Sequence, residues 1–411
     1  MASSPVLVLL FLIMGFLGAV FCVSSPAETN TLNPGQMLRD WEQLISPSGI
    51  FRLGFFTPEK TPSSLLGPAG PRYIGIWFDR IQINPVWVGN PMNPVIDSSG
   101  ALTIGPDGIL KITQANGSPI MVNPKPQLSL AGNVSATLLD SGNFIVREVG
   151  AGGVPGRVLW QSFDYPSNVL LPGMKIGFNL KTGKEVSVKS WICNQVPSPG
   201  AFRLGLDPSG ADQLLIWRRN EVYWSSGIWK NGTSSHLNLE LSREYIDYEF
   251  KFHSDKYDRY FTYFIKDTNQ SVLSRWYLDT LGQVTVNNVI SSNGSTHWIL
   301  ESSETCRTGL KNASALCISE KPTACRKGSE YFEPKRGYML QELGKNDLSY
   351  YDGNSSLDLS DCHASCWRNC SCIAFQTFSG GFGCQFWPKG SKFTPEETSD
   401  QLTYVLDSAK L

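Results

Sequence analysis

Short alternations of apolar and polar residues, broken by turn residues, run through most of this chain. They predict strands at residues 50–55, 73–78 and 85–88, and shorter strands after glycine-containing turns at 101–104 and 109–112. The chain has 411 residues with 38 Gly and 25 Pro, and few sustained helical periods. That composition favours short strands and many turns. The pattern therefore predicts a mostly β protein.

One kind of turn recurs along the chain. An aspartate followed by serine or a spacer and then glycine precedes a predicted strand at residues 97–100, 140–142 and 207–210, with a looser copy at 279–282. Aspartate can accept a hydrogen bond within its own turn, and glycine can take the left-handed corner. Trp87, Trp160 and Trp224 accompany the copies as expected core residues. Such a repeat suits small β domains built of three packed sheets.

A different pattern occupies the C-terminal fifth. Cys362, Cys366 and Cys370 are four residues apart, which places them along one stripe of a helix, with Ser360 as the expected N-cap. Residues 372–375 and 384–387 read as strands on either side of a glycine turn. The prediction is a helix tied to a hairpin.

The chain has ten cysteines. Cys22 lies in the N-terminal apolar run, and Cys193 stands alone. The other eight fall between Cys306 and Cys384, where a zinc site is the alternative to disulfides; their uneven spacing and an extracellular context favour disulfides. Cys193 is expected to be either a buried thiol or an intermolecular bridge.

Residues 6–23 form an almost unbroken apolar run followed by small and polar residues. We interpret residues 1–24 as a cleaved signal peptide, although no Lys or Arg precedes the run; a membrane anchor is the alternative. The expected product is secreted, without a membrane span after cleavage.

Eight Asn-x-Ser/Thr sequons agree with secretion. Seven are expected glycosylation sites: Asn116, Asn133, Asn231, Asn269, Asn293, Asn312 and Asn354. The eighth, Asn369, lies inside the cysteine cluster, where crowding is expected to hinder modification.

The balance of charges and the absence of catalytic motifs argue against several classes of function. Lys plus Arg is 35 and Asp plus Glu is 36, whereas nucleic-acid binding requires a concentrated basic surface. The four histidines lack metal-ligand spacing, and no nucleophile elbow, phosphate loop or kinase signature occurs. We therefore expect a non-catalytic protein without a cofactor or bound metal.

Three groups of residues resemble a known family. The run LWQSFDYPSNVLLPGM at 159–174, the segment VYWSSGIW at 222–229, and DCHASCWRNCSCIAF with GCQFW at 361–387 resemble the ectodomains of plant S-domain (G-type lectin) receptor-like kinases, the S-locus glycoprotein family. The resemblance implies two tandem bulb-type lectin β-prism domains, a reduced EGF-like connector and a disulfide-stapled α+β PAN/apple domain. We place these at 25–150, 151–296, 297–328 and 329–408.

The resemblance also bears on the cysteines. The PAN/apple pattern implies the pairs Cys362–Cys384 and Cys366–Cys372. Of the cysteines left over, Cys325–Cys370 and Cys306–Cys317 are the expected pairs. An EGF-like module normally needs six cysteines, so the three between 306 and 325 imply a reduced connector.

Bulb-type lectins bind mannose with a Gln-x-Asp-x-Asn-x-Val-x-Tyr strand. In the segment LLDSGNFIVRE only Asn143 matches, because the other positions hold Leu139, Ser141, Ile145 and Arg147. In the preceding copy Asp107 fits but Ile109 replaces the Asn. A sugar site needs several convergent polar groups. Asn143 and Asp107 are therefore candidates for a degenerate sugar site, and the favoured interpretation of Asn143 is a turn residue in a scaffold strand.

Residues 249–263, EFKFHSDKYDRYFTY, alternate aromatic and charged side chains. This pattern predicts either a ligand-binding face or a strand pair with one solvent-exposed side. The resemblance directs attention to it, because the second lectin domain of the family carries a recognition surface.

These observations favour a secreted S-domain glycoprotein that recognises an extracellular peptide or glycan, a receptor-kinase ectodomain or a second copy of itself, in pollen recognition or defence. The alternative is a mannose- or glycan-binding defence lectin, and a third hypothesis is a structural wall glycoprotein.

Overall fold

The structure is a computed structural model. It describes residues 29–58, 70–79, 85–123, 133–230, 246–266, 271–292, 295–302, 323, 325–326, 330–340, 349–378, 381–399 and 402–408. The expected signal peptide lies outside the described residues, as do Asn231, Asn269, Asn293, Asn312, Cys306 and Cys317.

Twelve strands form the first β-prism. They are β1 (Thr31–Leu32), β2 (Met37–Arg39), β3 (Gln43–Ile45), β4 (Phe51–Phe56), β5 (Tyr73–Phe78), β6 (Trp87–Val88), β7 (Ala101–Ile104), β8 (Leu110–Thr113), β9 (Ile120–Met121), β10 (Val134–Leu138), β11 (Phe144–Val149) and β12 (Pro155–Gln161). They pair as three antiparallel four-stranded sheets, in the orders β1-β10-β11-β12, β2-β7-β8-β9 and β3-β4-β5-β6. One short 3-10 helix, Ala151–Gly153, lies between β11 and β12, and another, Ser162–Asp164, follows β12.

The second β-prism repeats this plan. Its strands are β13 (Val169–Leu170), β14 (Ile176–Asn179), β15 (Glu185–Val186), β16 (Val188–Cys193), β17 (Val196–Leu206), β18 (Leu214–Arg218), β19 (Glu221–Ser225), β20 (Tyr248–Ser254), β21 (Asp258–Ile265), β22 (Ser271–Leu278), β23 (Val284–Ser292) and β24 (Ser295–Ser302). The sheets are β13-β22-β23-β24, β15-β14-β21-β20 and β16-β17-β18-β19.

Both prisms bury their apolar side chains in one contiguous core that runs from Leu32 to Ile290. Trp87, Trp160 and Trp224 are 2 to 5% exposed within it, as the repeat predicted. Period-two alternation puts one side of each strand into this core. The prediction of a mostly β chain with tandem lectin-type units is confirmed.

The repeated aspartate turns differ in detail. Asp97, Asp207 and Asp279 each accept a hydrogen bond from a backbone N–H two residues later. Asp140 instead accepts from the backbone N–H and the hydroxyl of Ser48, both at 2.8 Å. The expected role within its own turn is therefore wrong for Asp140, because the neighbouring turn at Ser48 supplies donors that reach its carboxylate.

Two strands cross the boundaries expected from the sequence. β12 lies beyond residue 150, yet Gln161 pairs with Ile145 and Trp160 with Val146 of β11. β24 extends past residue 296 and completes a sheet of the second prism. The first sheet thus ends at Gln161, and the second prism continues to Ser302.

The stretch at 159–174 joins the prisms. It leaves the first prism as β12 and enters the second as β13. Between them, the Trp87 indole N–H donates to the Tyr165 carbonyl at 3.0 Å, and the Val88 N–H donates to the Ser167 hydroxyl at 2.8 Å. The Lys189 N–H of the second prism donates to the Ser167 carbonyl at 2.9 Å. One short segment therefore bonds to both units.

The C-terminal unit is an α+β fold. Its helix is α1 (Leu359–Arg368), and its strands are β25 (Glu330–Leu340), β26 (Tyr350–Asp352), β27 (Cys372–Thr377), β28 (Cys384–Pro388), β29 (Lys392–Pro395) and β30 (Leu402–Ser408). The sheet order is β26-β28-β27-β30-β25-β29. Disulfides join Cys362 to Cys384, Cys366 to Cys372, and Cys325 to Cys370.

The start and the end of α1 differ from the prediction. Asp358, not Ser360, is the N-cap: its side chain accepts from the backbone N–H groups of Ser360 and Asp361. The Asp361 carboxylate accepts a hydrogen bond from the Asp358 N–H, which completes a capping box. The helix ends at Arg368, so Cys370 lies beyond it, and its disulfide is made from the following turn.

A buried arginine holds the C-terminal end of α1. Arg326 is 5% exposed, and its guanidinium donates to the carbonyls of Cys366, Trp367, Asn369 and Cys372 at 2.9 to 3.2 Å. The last carbonyls of a helix lack partners within it and carry partial negative charge. Arg326 satisfies them and is adjacent to the Cys325 disulfide.

Replacing Arg326 tests this interaction. We expect Arg326→Gln to lower the stability of the C-terminal unit by about 2–3 kcal/mol, because charge-assisted hydrogen bonds are lost and buried carbonyls remain. Hydrogen exchange of the amides in α1 and β27 measures this. Arg368→Gln, an exposed arginine on the same helix, is the matched control and should change stability by less than about 0.5 kcal/mol. Equal effects of the two variants would contradict the assignment.

Candidate functional site

Asn143, the one residue of segment 139–147 that matches the mannose-binding pattern, makes hydrogen bonds within the protein. Asn143 is 8% exposed. Its amide nitrogen donates to Gln161 at 2.9 Å, and its amide oxygen accepts from the Ser162 hydroxyl and the Phe163 N–H at 3.2 and 3.3 Å. Both ends of the side chain are therefore bonded to residues at the end of the first prism, and neither is left for a sugar hydroxyl.

The face on which a sugar would lie is closed as well. Thr137 and Ile145 are paired across β10 and β11 on the side opposite the core, and they are 2% and 6% exposed. Ser135 on the same side is 4% exposed. A sugar ring must contact exposed side chains, so this strand offers no open platform.

Asp107 belongs to a different sheet. It lies in the turn between β7 and β8, where its carboxylate accepts from the Ile109 N–H at 3.1 Å. Asn143 precedes β11 of the neighbouring sheet. The structure therefore does not bring the two candidate sugar residues together in one strand site.

Residues 249–263 form the hairpin of β20 and β21. Its inner side chains, including Phe261 and Tyr263 at 0% exposure, enter the core. Its outer side presents Glu249, Lys251 and His253 on one strand and Phe264, 41% exposed, on the other. The sequence allowed two interpretations of residues 249–263, a ligand-binding face or a strand pair with one solvent-exposed side. The structure has the two-sided pair, and its outer side is available to a partner.

Ring and charge contacts organise this outer side. The imidazole of His253 stacks on Tyr260 with ring centroids 4.8 Å apart, and the Lys175 ammonium lies 4.3 Å from the Tyr260 centroid. Backbone N–H groups of Asp258 and Tyr257, together with His253, lower the pKa of Asp255 to about 2. His253 and Tyr260 therefore lie on the paired strands, Asp255 lies in the turn that joins these strands, and Lys175 lies directly before β14. We call this surface the hairpin face.

The second prism and the C-terminal unit meet at the start of α1. The Ala201 N–H donates to the Asp358 carboxylate at 2.6 Å. The Arg219 guanidinium binds both oxygens of Asp361 and donates to the Ser356 carbonyl at 2.7 Å. Asp361 raises the pKa of Arg219, whereas burial, followed by the charge of Asp361, raises the pKa of Asp358. Two carboxylates therefore cap the helix and join the units.

The roles of four residues were not expected from the sequence: Asp358, Asp361, Arg219 and Arg326. The spacing Asp-x-x-Asp at 358–361 is a capping-box variant, and it could have identified the N-cap. Nothing local marks Arg219, whose partner is 142 residues away. Arg219 also takes a positive φ of 54°, which is uncommon for a residue other than glycine.

Cys193 lies where three parts of the chain meet. A Cβ on Gly381 of the C-terminal unit would stand 2.2 Å from the Cys193 sulfur, so the two residues are in direct contact. Burial, followed by the charge of Cys193, raises the pKa of Tyr73, a residue of the first prism, to about 12. Burial raises the pKa of the Cys193 thiol itself. The structure thus has a half-buried thiol at this position.

Three expected glycosylation sites are exposed in the structure: Asn116, Asn133 and Asn354. Asn369 is partly buried, and its amide oxygen accepts from the N–H and the hydroxyl of Ser371. Within the described residues there is no group of His, Cys, Asp or Glu suited to a metal ion. No helix in that part of the chain is long and apolar enough to cross a membrane.

Two family profiles match the chain. The profile for D-mannose binding lectins matches residues 84–192, and that for PAN-like domains matches residues 338–390. The first match runs through the joining segment from one prism into the other. The second covers α1 and the β27–β28 hairpin.

Full-length relatives match most of the chain. The G-type lectin S-receptor-like serine/threonine-protein kinase CES101 of Arabidopsis thaliana is 31% identical over 94% of this chain and 46% of its own length. A second kinase of that name and organism is 32% identical over 88% of this chain and 41% of its own length. The chain therefore spans about half the length of these relatives. Among solved structures, a two-domain Scilla campanulata lectin aligns over 66% of this chain and 97% of its own, at 12% identity and a TM-score of 0.22, too low to carry an argument.

The bonding of Asn143 predicts a structural role. We expect Asn143→Ala to lower the free energy of unfolding by about 1–3 kcal/mol, because the buried Phe163 N–H and Ser162 hydroxyl lose their acceptor. Chemical denaturation followed by tryptophan fluorescence measures the change. The exposed Asn116→Ala should stay within about 0.5 kcal/mol of the parent. Unchanged stability together with lost mannose binding would refute this role.

The raised pKa of Asp358 predicts a pH dependence. A carboxyl whose pKa is raised by folding binds its proton more tightly in the folded state, so its contribution is complete below the unfolded pKa and is lost as pH rises through the folded pKa. Asp358→Asn retains a good N-cap but cannot titrate. We expect the stability advantage of the parent over Asp358→Asn to shrink as the pH rises above the unfolded pKa of 3.8, as measured by thermal unfolding at a series of pH values. A constant difference would show that Asp358 does not titrate in this way.

Proposed function

Because the chain is an S-domain ectodomain of the G-type lectin receptor-like kinase type, we propose that it is a secreted recognition module that binds an extracellular ligand or a receptor-kinase ectodomain. The lectin and PAN-like units support binding rather than catalysis. Secretion rests on the expected signal peptide and sequons. Recognition of pollen and perception in defence are the two settings that the family resemblance suggests.

The hairpin face is the observation that carries this proposal. It presents Lys251, His253 and Phe264 on a rigid sheet of the second prism, whereas the strand with the mannose-type remnant is closed. Binding residues placed on rigid elements lose little freedom when a partner docks. An exposed aromatic among charged groups is also the composition that favours partner recognition.

A second candidate is a mannose-binding defence lectin. The match to the D-mannose binding lectin profile favours it. The bonding of Asn143 to Gln161, Ser162 and Phe163 weighs against mannose binding through that strand. We therefore place recognition of a protein or peptide partner through the hairpin face first.

Co-purification of the tagged, secreted protein from plant tissue tests the proposal. We expect a receptor-kinase ectodomain or a secreted peptide to be retained, and the double variant Lys251→Glu, Phe264→Ser to retain at least tenfold less of it, about 1.4 kcal/mol of binding free energy. The loss follows from reversing a charge and removing an apolar contact on one face.

The matched control is Met92→Ser, which removes a side chain that is 69% exposed on the first prism. It should retain the partner at the level of the parent. Equal recovery with the double variant would place recognition elsewhere. Recovery of glycans alone, without a protein or peptide, would favour the lectin candidate.

A further inference from the structure

Thr262 lies on the outer side of the hairpin face and has a buried hydroxyl. Its neighbours Phe261 and Tyr263 enter the core, so strand alternation puts Thr262 on the opposite side of β21. Thr262 is nevertheless only 2% exposed. Within the part of the chain that the structure describes, its hydroxyl has no hydrogen-bond partner. A buried hydroxyl without a partner costs free energy, so the stability of the fold does not explain this group.

Two exposed lysines flank Thr262 on this side. Lys251 of β20 is paired with Thr262 across the strands. Lys175 directly precedes β14, whose first residue pairs with Phe261. The Lys175 ammonium lies 4.3 Å from the centroid of the Tyr260 ring, which is also on the outer side. The two lysines therefore stand on either side of the Thr262 hydroxyl.

Nearby acidic groups do not neutralise these lysines. Among the described residues, no carboxylate forms an ion pair with Lys175 or Lys251. Asp255 bonds to His253 instead, at 2.9 Å. Glu249 is two residues from Lys251 on the same side of β20, and the two side chains form no ion pair. In this part of the chain, two positive charges and one unused hydroxyl donor thus lie side by side.

We propose that Lys175, Lys251 and Thr262 form a subsite for a carboxylate of an acidic peptide segment. An ionised carboxylate only accepts hydrogen bonds, and its two oxygens can accept several, whereas the two ammonium groups and the hydroxyl can all donate. Lysine stems are flexible, so they can cover the hydroxyl in the free protein and turn toward an entering carboxylate.

The subsite rests on the proposed function, because it assigns a partner chemistry to the hairpin face. Phe264, 41% exposed and two residues along β21 from Thr262, offers an apolar surface beside the two charges. A peptide supplies an acidic and an apolar side chain together, which an isolated anion does not. The chain as a whole has a formal net charge of −1, so a preference for acidic partners is a local property of this face.

Retention of peptide pools on the immobilised full chain tests the subsite. Both pools contain octapeptides with random flanks, and the fourth position is glutamate in one pool and glutamine in the other. We expect about tenfold more of the glutamate pool to be retained, as quantified by mass spectrometry, because charge-assisted hydrogen bonds are lost with the amide. Lys175→Gln and Lys251→Gln should each reduce its retention about fivefold.

Thr262→Val separates binding from stability. Valine has nearly the shape of threonine and lacks the hydroxyl. We expect thermal stability equal to or above that of the parent, because no bond within the described residues is lost, and retention of the glutamate pool reduced about threefold. A clear loss of stability would show that the hydroxyl serves the fold and would overturn its place in the subsite.

Lys256→Gln is the matched control, because Lys256 is an exposed lysine in the turn of the same hairpin. It should retain the glutamate pool as the parent does. Equal retention of the two pools, retention that survives Lys175→Gln and Thr262→Val, or an equal loss in Lys256→Gln would overturn the proposal.

The natural partner distinguishes failure of the subsite from failure of the hairpin face. If Lys175→Gln and Thr262→Val retain the partner and the double variant Lys251→Glu, Phe264→Ser loses it, the carboxylate subsite is wrong and the hairpin face stands. If the double variant retains the partner, the hairpin face itself is wrong.

Discussion

The arrangement of this molecule depends on one short run of backbone that two prisms share. Residues 159–174 finish a sheet of the first unit and begin a sheet of the second, and Tyr165 and Ser167 between them bond to the strand of Trp87. A backbone group removed from water needs a partner. Here the partners of one unit lie on the segment that begins the other, so neither prism can complete its hydrogen bonding alone. The two prisms also share one apolar core.

The same constraint explains why the strand that contains the mannose-type remnant, β11 with the preceding Asn143, is not available to a sugar. Asn143, which in the family pattern would contact sugar, instead satisfies Ser162 and Phe163 at the start of the joining segment. A polar side chain that holds a domain junction cannot also exchange its bonds with a ligand. Loss of the other motif positions, such as Leu139 and Arg147, is consistent with this change of role. The fold is that of a lectin, but the polar group next to β11 stabilises the fold instead of binding a sugar.

How much the sequence could predict depended on the range of the interactions. Strands, glycine corners and core tryptophans follow from alternation and turn chemistry within a few residues, and these agree with the structure. Asp140 was misassigned because the distant Ser48 supplies donors to its carboxylate. Ser360 was misassigned because Asp358, two residues earlier, is the N-cap. Arg219 and Arg326 were missed because their partners lie on distant segments of sequence.

The contact between Cys193 and Gly381 has a practical consequence. The sulfur is covered by a residue of another unit, and its raised pKa keeps the reactive thiolate scarce while the cover remains. Alkylation of Cys193 should therefore be faster if Gly381 is displaced from the sulfur. The rate of that reaction would report any separation of the C-terminal unit from the second prism.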